Sequence, residues 1–239
     1  SEFKHCKINN FSFSFKSMKI VLVEVLKNFK LLFSFKNILE LFILSSNNLL
    51  NSNNLLNYLK DKKIKPQDDL FYTYWFDEWN NILSIAKKDI WFSQFKLVSR
   101  AHGFDLYDYR SSYGSIPFRT LQMKKNNSIH SISQNGFDYL SRKYNKYSSK
   151  IMINRIGVEY VGSNPYCFSK EVTIASCSSL IKLKRIDKII SVLELLNIKV
   201  CWYHFGDGPL LNEMKFKSEK LKDNIKVHFM GKVSNKDIL

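Results

Sequence analysis

Apolar positions along the chain alternate with polar ones in a way that predicts two blocks of strands and helices. In the first block, FYTYWF (71–76) has strand character and leads into a helical stretch that runs to about Lys88. KLVSRAHG (96–103) is a short apolar strand ending on a polar tip, and SIHSIS (128–133) is another. NGFDYLSRKY (135–144) reads as the helix after it, and KIMINRIGV (150–158) as a third strand. Residues 159–170 lack any period and contain Gly162, Asn164 and Pro165, the composition of a linker. Beyond it EVTIASCSSL is a strand, 184–196 a helix, IKVCWYHFGDG a strand and turn, 209–221 a helix and IKVHFMG a strand. Strand–helix alternation of this kind predicts βαβ units built on parallel sheets.

Two such blocks joined by a linker suggest two Rossmann-like domains facing each other across a cleft. The expected division is 1–158, a linker at 159–170, and 171–239. The amino-terminal segment is less regular. Phe11, Phe13 and Phe15 alternate with the period of a strand, whereas 21–44 reads as helix. SSNNLLNSNNLLN (45–57) is an imperfect low-complexity repeat to which no chemical role is given.

A hydrophobic fraction of 45% and an aromatic fraction of 15% can supply a core, which argues against wholesale disorder. The net charge of +16, from 37 Lys and Arg against 21 Asp and Glu, predicts attraction to anions without saying which. Residues 1–36 hold seven lysines against two glutamates, interleaved with phenylalanines. A basic, Phe-rich helix can lie on an anionic membrane surface; the plainer reading is an ordinary helix with a core-facing stripe. No apolar run reaches the ~18–20 residues of a membrane span, and no signal peptide is apparent, so a soluble or peripheral protein is expected. Cys6, Cys167, Cys177 and Cys201 form no CxxC pair and have no histidine at metal spacing. They are expected to be small buried apolar residues in a reducing, cytoplasmic compartment, with no metal bound. A basic nucleic-acid-binding protein is the alternative raised by the charge. The lysines are dispersed and no such module is recognisable, so nucleic acid is not the expected partner.

Ligands of open parallel sheets bind beyond the carboxyl ends of the strands, and three strand tips carry suggestive residues. Gly206-Asp207-Gly208-Pro209 follows one strand and opens a helix, where glycines let a ligand approach the backbone and free N–H groups favour phosphate or ribose oxygens. The same four residues also make an ordinary turn. SCSSLIKLKRID places Lys182, Lys184 and Arg185 between strand and helix, suited to a diphosphate or, equally, to a solvated face. SRAHG puts His102 at a third tip, where an imidazole could meet a sugar hydroxyl or phosphate, or be a satisfied structural residue.

The ordered series SRAHGFDLYDYR, IPFR, SIHSISQNGFDYL, INRIGV, SCSSLIKLKRID, HFGDGPL and FMGKV resembles glycosyltransferase family 4 over residues 71–239. The resemblance is strongest to members that build bacterial capsular, exopolysaccharide or colanic-acid-type chains. It implies a GT-B fold, with the acceptor on the first domain and the nucleotide sugar on the second. It implies a retaining transfer of a hexose-type sugar from a nucleotide-sugar donor to a polysaccharide or lipid-linked saccharide, at the inner face of the cell membrane and without a metal or other cofactor. By the same resemblance His102 acts near the transferred sugar with Gly103 beside it. Lys184 contacts the diphosphate, Gly206, Asp207, Gly208 and Pro209 flank the nucleotide, and Gly231, Lys232 and Val233 meet the base through backbone groups.

The chain departs from the family pattern at several points. Ser178 and Ser179 stand where Gly-Arg is usual, and Lys184-Arg185 where Lys-Gly is common, so Arg185 is a candidate replacement for the missing arginine. The Gly-rich loop of the first domain is not recognisable, and the Glu-x7-Glu segment that holds donor sugar and ribose would lie beyond Leu239. The chain is therefore expected to be truncated at both ends, with an incomplete second domain, and to be inactive or poorly stable alone.

Overall fold

The computed structural model describes residues 15–28, 34–62, 64–157 and 171–234, together with Tyr160 and Gly162. The chain divides into two units, Ser1–Gly157 and Val158–Leu239. The first contains helices α1 (Phe15–Lys27), α2 (Phe35–Asp61), α3 (Glu78–Ala86), α4 (Gly103–Leu106), α5 (Arg119–Lys125) and α6 (Gln134–Lys143). Its strands are β1 (Leu70–Thr73), β2 (Lys96–Ala101), β3 (Ser128–Ser131) and β4 (Ile151–Ile153). The second contains β5 (Glu171–Cys177), α7 (Ile186–Leu193), β6 (Lys199–Phe205), α8 (Leu211–Ser218) and β7 (Ile225–Gly231).

Both sheets are parallel throughout. The first runs β1-β2-β3-β4 and the second β5-β6-β7, with Phe71 opposite Leu97, Ile129 opposite Ile151, and Val200 opposite Ile225. Each strand lies beside its predecessor, so all carboxyl ends in a unit emerge on one edge. In the second unit α7 buries Ile186, Ile190 and Leu193, spaced four and three residues apart as an amphipathic helix requires, against Val200, Trp202 and Ile225. In the first unit one core gathers Leu55, Leu59, Ile82, Leu83, Phe92, Phe95 and Leu97, and another Phe76, Leu106, Met123, Ile129 and Leu140.

Several boundaries differ from the sequence reading. The strand read at 71–76 ends at Thr73, because Phe76 leaves the sheet to fill the second core. The strand read at 150–158 is paired only over Ile151–Ile153. The helix read at 21–44 is two helices, and Phe15 opens the first rather than closing a strand; Phe11 and Phe13 lie outside the described residues. The low-complexity repeat forms the second half of α2, and its buried stripe is largely polar: Ser45, Asn48, Asn51, Ser52, then Leu55 and Leu59. Small side chains on that stripe let the helices touch, and the Ser46 hydroxyl donates to Ser17 Oγ at 3.0 Å. Of the cysteines, Cys201 is buried as expected, but Cys177 is exposed because β5 is an outer strand with alternate positions open to solvent. Cys6, Cys167 and most of the linker fall outside the described residues.

Two buried asparagines show how unequal such residues are. Asn80 on α3 exchanges hydrogen bonds with Asn126 (3.1 and 2.8 Å), donates to Thr73 at 3.0 Å and accepts from Ser84 at 3.3 Å, while Thr73 Oγ1 pairs with Ser99 Oγ at 2.7 Å. This network fastens β1, β2 and α3 to the end of α5. Among the described residues neither amide atom of Asn48 has a hydrogen-bond partner. Asn80→Ala should therefore lower the unfolding free energy by about 3 kcal/mol, and Asn48→Leu should raise it by about 1 kcal/mol, both read from urea midpoints.

Candidate functional site

The carboxyl edge of the second sheet is a set of loops held by one another's backbones. After β5 the chain turns through Ser178–Leu180 and passes over the strand tips. The Ser178 N–H donates to the Phe205 carbonyl (3.0 Å) and the Leu180 N–H to the Asp207 carbonyl (3.0 Å). In return the Leu180 carbonyl accepts from the Leu210 N–H at 3.2 Å, and the Gly206 N–H donates to the Gly231 carbonyl at 2.7 Å. Leu180 itself is fully buried in the core of the unit. The loops after β5, β6 and β7 are thus joined through Ser178, Leu180, the Gly206–Leu210 segment and Gly231, and Lys184 and Arg185 follow Leu180 along the chain.

The approach is close enough to dictate glycine. Gly206 has φ 140°, and a Cβ there would sit 2.0 Å from the Ser178 carbonyl oxygen; at Gly208 one would sit 2.6 Å from that of Leu180. The sequence reading assigned these glycines to close approach of a ligand, and the structure shows them making room for a neighbouring loop. Asp207 stabilises the turn, its Oδ1 accepting from the Gly208 N–H at 2.7 Å. Pro209 precedes the helix rather than opening it: α8 starts at Leu211, whose N–H already donates to the Gly208 carbonyl at 3.1 Å. At Gly231 (φ 72°) no atom crowds the missing side chain, so conformation alone favours glycine there. Lys232 and Val233 follow directly, the first exposed and the second half-buried.

Beneath these loops lies a polar chain that the sequence reading did not identify. The Trp202 indole N–H donates to Ser176 Oγ at 2.9 Å, Ser176 Oγ meets His204 Nδ1 at 2.8 Å, and His204 Nε2 meets the Ser178 carbonyl at 3.1 Å. A carbonyl can only accept, so Nε2 carries the proton, Nδ1 accepts from the serine, and every group is satisfied with a neutral imidazole. Burial lowers the proton affinity of His204 and the Ser178 carbonyl opposes it.

Lys182–Lys184 form a single 3-10 turn ahead of α7, and Arg185 is its cap. Arg185 adopts φ 53°, ψ 39°, a left-handed conformation that costs a side-chain-bearing residue roughly 1–2 kcal/mol. The glycine that the family pattern has at this position would adopt it freely. The Arg185 side chain is mostly exposed, with Nε 3.7 Å from Asp187 Oδ1. Lys182, Lys184 and Arg185 stand at the amino end of α7, where the helix dipole also favours an anion.

In the first unit, His102 is at the carboxyl end of β2 and caps α4. It is 6% exposed, enclosed by Tyr74 and Trp75 with ring centroids at 4.8 and 4.4 Å. Its Nδ1 lies 4.0 Å from Asp105 Oδ2, and among the described residues neither ring nitrogen has a hydrogen-bond partner. Burial lowers its proton affinity, with Asp105 opposing and Arg100 reinforcing. Asp105, another residue the sequence reading passed over, accepts from the His102 N–H and the Phe76 N–H, each at 2.7 Å, and burial raises its pKa. The Asp105 carbonyl accepts from Arg119, whose buried guanidinium lies 3.8 Å from the Phe76 ring centroid and is depressed by burial to about 10. Gly103 begins α4; a Cβ there would meet only Arg110 Nη1 at 3.7 Å, so packing does not demand glycine.

Gly206→Ala should prevent folding of the second unit, as judged by loss of near-ultraviolet circular dichroism. Arg185→Gly should instead raise the unfolding free energy by about 1 kcal/mol as left-handed strain is relieved, read from a higher urea midpoint. For His204 the folded state binds a proton less readily than the unfolded chain, so its contribution is complete above the ordinary imidazole value of 6.5 and is lost as pH falls below it. Urea titrations between pH 8 and pH 5 should show that loss, with a shallower slope in His204→Gln.

No family model matches the chain, and no curated protein matches it in sequence. Solved structures do resemble it. TarM aligns with a TM-score of 0.55 at 16% identity, over 80% of this chain and 37% of that one. An S. aureus TarM variant in complex with Fondaparinux, alpha-GlcNAc-glycerol and UDP aligns with a TM-score of 0.52 at 17% identity, over 78% of this chain and 37% of that one. The lipopolysaccharide outer core galactosyltransferase WaaB, in its apo form, aligns with a TM-score of 0.51 at 11% identity, over 80% of this chain and 50% of that one. The chain thus spans between about a third and a half of the length of these proteins. At such identities the likeness is one of fold: the chain has the α/β architecture of parallel sheets found in GT-B glycosyltransferases.

Proposed function

We propose that the chain is part of a sugar-transferring enzyme of the glycosyltransferase family 4 kind, and that its second unit carries a half-site for the nucleotide of a nucleotide-sugar donor. The observation that carries this reading is the joined loop edge beyond β5, β6 and β7, with three cationic side chains ahead of α7. In this proposal Lys184 and Arg185 neutralise the diphosphate, helped by the amino end of α7, and so stabilise the leaving group as its charge develops. The Gly206–Pro209 turn flanks the nucleotide, and Gly231, Lys232 and Val233 border the base. His102, with its neighbour Gly103, serves the transferred sugar: a buried imidazole with no hydrogen bond at either nitrogen among the described residues, and with the Asp105 carboxylate beside it, is suited to hydrogen-bond a hydroxyl or to take up a proton.

The proposed reaction is retaining transfer of a hexose-type sugar to a polysaccharide or lipid-linked saccharide, at the cytoplasmic face of a membrane. The UDP-bound TarM variant supports a uridine nucleotide as the first ligand to try. Calorimetric titration should show UDP binding to the chain, and Lys184→Ala should weaken it about tenfold or more, the loss expected when a charge-assisted hydrogen bond is removed. A folded protein that binds neither UDP nor GDP, or binds them equally well without Lys184, would refute the half-site.

A further inference from the structure

A cavity of about 660 Å³ lies in the first unit between α1, α2, α3 and α5, and none of the strand-tip residues lines it. That volume is in the range of small-molecule sites. Its lining is mainly apolar, with Ile20, Val23, Leu49, Leu56, Ile85 and Leu121, and also includes the hydroxyl-bearing Ser52 and Thr120. Lys16, Lys19, Lys88 and Lys124 surround it, each exposed at the surface.

The two carboxylates of the lining are already engaged. Glu24 accepts from the Phe118 N–H at 3.2 Å, and Asp89 pairs with Lys60 at 3.1 Å while accepting from the Phe92 N–H at 3.1 Å. Among the described residues no carboxylate pairs with Lys19, Lys88 or Lys124. The mutual repulsion is real: Lys125, Lys19 and Lys16 add to burial in lowering the pKa of Lys88. A mainly apolar cavity bordered by Lys19, Lys88 and Lys124, none of which pairs with a carboxylate among the described residues, fits one kind of ligand, a hydrocarbon chain bearing an anionic head. Neutral apolar molecules would leave the charge unanswered, and a bare anion would leave the interior hydrated.

We infer that this cavity binds a single-chain anionic amphiphile, of the alkyl or isoprenyl phosphate class, with its chain among Ile20, Leu49, Ile85 and Leu121 and its phosphate between Lys19, Lys88 and Lys124. The inference rests on the cavity alone and stands whether or not the second unit binds a nucleotide.

The test is calorimetric titration of the full chain with dodecyl phosphate below its micelle concentration, beside dodecyl maltoside and inorganic phosphate. Dodecyl phosphate should saturate one site at least tenfold more tightly than dodecyl maltoside, and inorganic phosphate should not saturate. Val23→Trp, which places an indole at an exposed position on the lining, should abolish binding. The double variant Lys19→Glu with Lys88→Glu should weaken it at least tenfold, and in both variants the circular dichroism should be retained. Equal affinity for the maltoside, saturation by phosphate alone, or binding undiminished by Val23→Trp would overturn the inference. So would adsorption to phosphatidylglycerol vesicles without uptake of monomeric dodecyl phosphate, which would make the lysines a membrane-facing surface instead.

Discussion

Backbone groups that leave a sheet must find partners elsewhere or pay the desolvation penalty of burial, and at the carboxyl edge of the second unit they find them in each other. Leu180 is the central case. Its side chain is buried in the core, its N–H reaches the loop after β6, and its carbonyl is reached from the first residue before α8. Because the Ser178–Leu180 segment is fixed in this way, Gly206 and Gly208 cannot carry side chains, and the turn that follows has one path. The cationic residues Lys182, Lys184 and Arg185 are then presented a few residues downstream of an anchored point rather than at the end of a free loop.

The two units treat a histidine at the end of a sheet in opposite ways. His204 lies inside the second unit with both nitrogens used, one toward Ser176 and one toward the Ser178 carbonyl, and so supports the same loop that Leu180 anchors. His102 lies at the end of β2 with no hydrogen bond at either nitrogen among the described residues and Asp105 Oδ2 4.0 Å from Nδ1, while its backbone is held firmly: Asp105 accepts from its N–H and from that of Phe76, and Arg119 in turn holds the Asp105 carbonyl. A fully bonded imidazole with a rigid backbone favours a role in the fold.

What could be read in the sequence was whatever has a short period or a fixed local pattern. α7 declares itself through Ile186, Ile190 and Leu193, Ser128–Ser131 through its alternation, and Lys199–Phe205 through an apolar run next to turn residues. The three strand tips were legible because chemistry at the end of a strand sits beside the strand in sequence. The partners of those tips were not. Ser178 and His204 are 26 residues apart, Asp105 and Phe76 are 29 apart, and Asn80 and Asn126 are 46 apart. No local rule links such pairs. The repeat at 45–57 was discounted on composition, although Ser45, Asn48, Ser52, Leu55 and Leu59 keep the spacing of one helix face. Leu180 gave no signal at all, since an apolar residue after a strand is unremarkable until its carbonyl is seen to accept from Leu210.

The positive charge illustrates why a bulk property divides once geometry is known. Lys150 donates to the carbonyls of Met123, Lys124 and Asn126, closing the carboxyl end of α5, and Lys125 donates to the Lys87 carbonyl just after α3. Lys87 donates to the Phe95 carbonyl and to Asn127 Oδ1. These three are cations at helix carboxyl ends, where unpaired carbonyls and the helix dipole favour them, and their charge is part of the fold. Lys19, Lys88 and Lys124 do no such service, and Lys182, Lys184 and Arg185 lead into a helix at the end where the dipole repels cations. Cations that repel one another beside an apolar cavity in one unit, and that stand against a helix dipole at the carboxyl edge of a parallel sheet in the other, cost stability unless an anion joins them. The excess of lysine and arginine is therefore a set of local charges with two different destinations, and the sites they mark are the ones where a bound phosphate would remove an unfavourable interaction as well as add a favourable one.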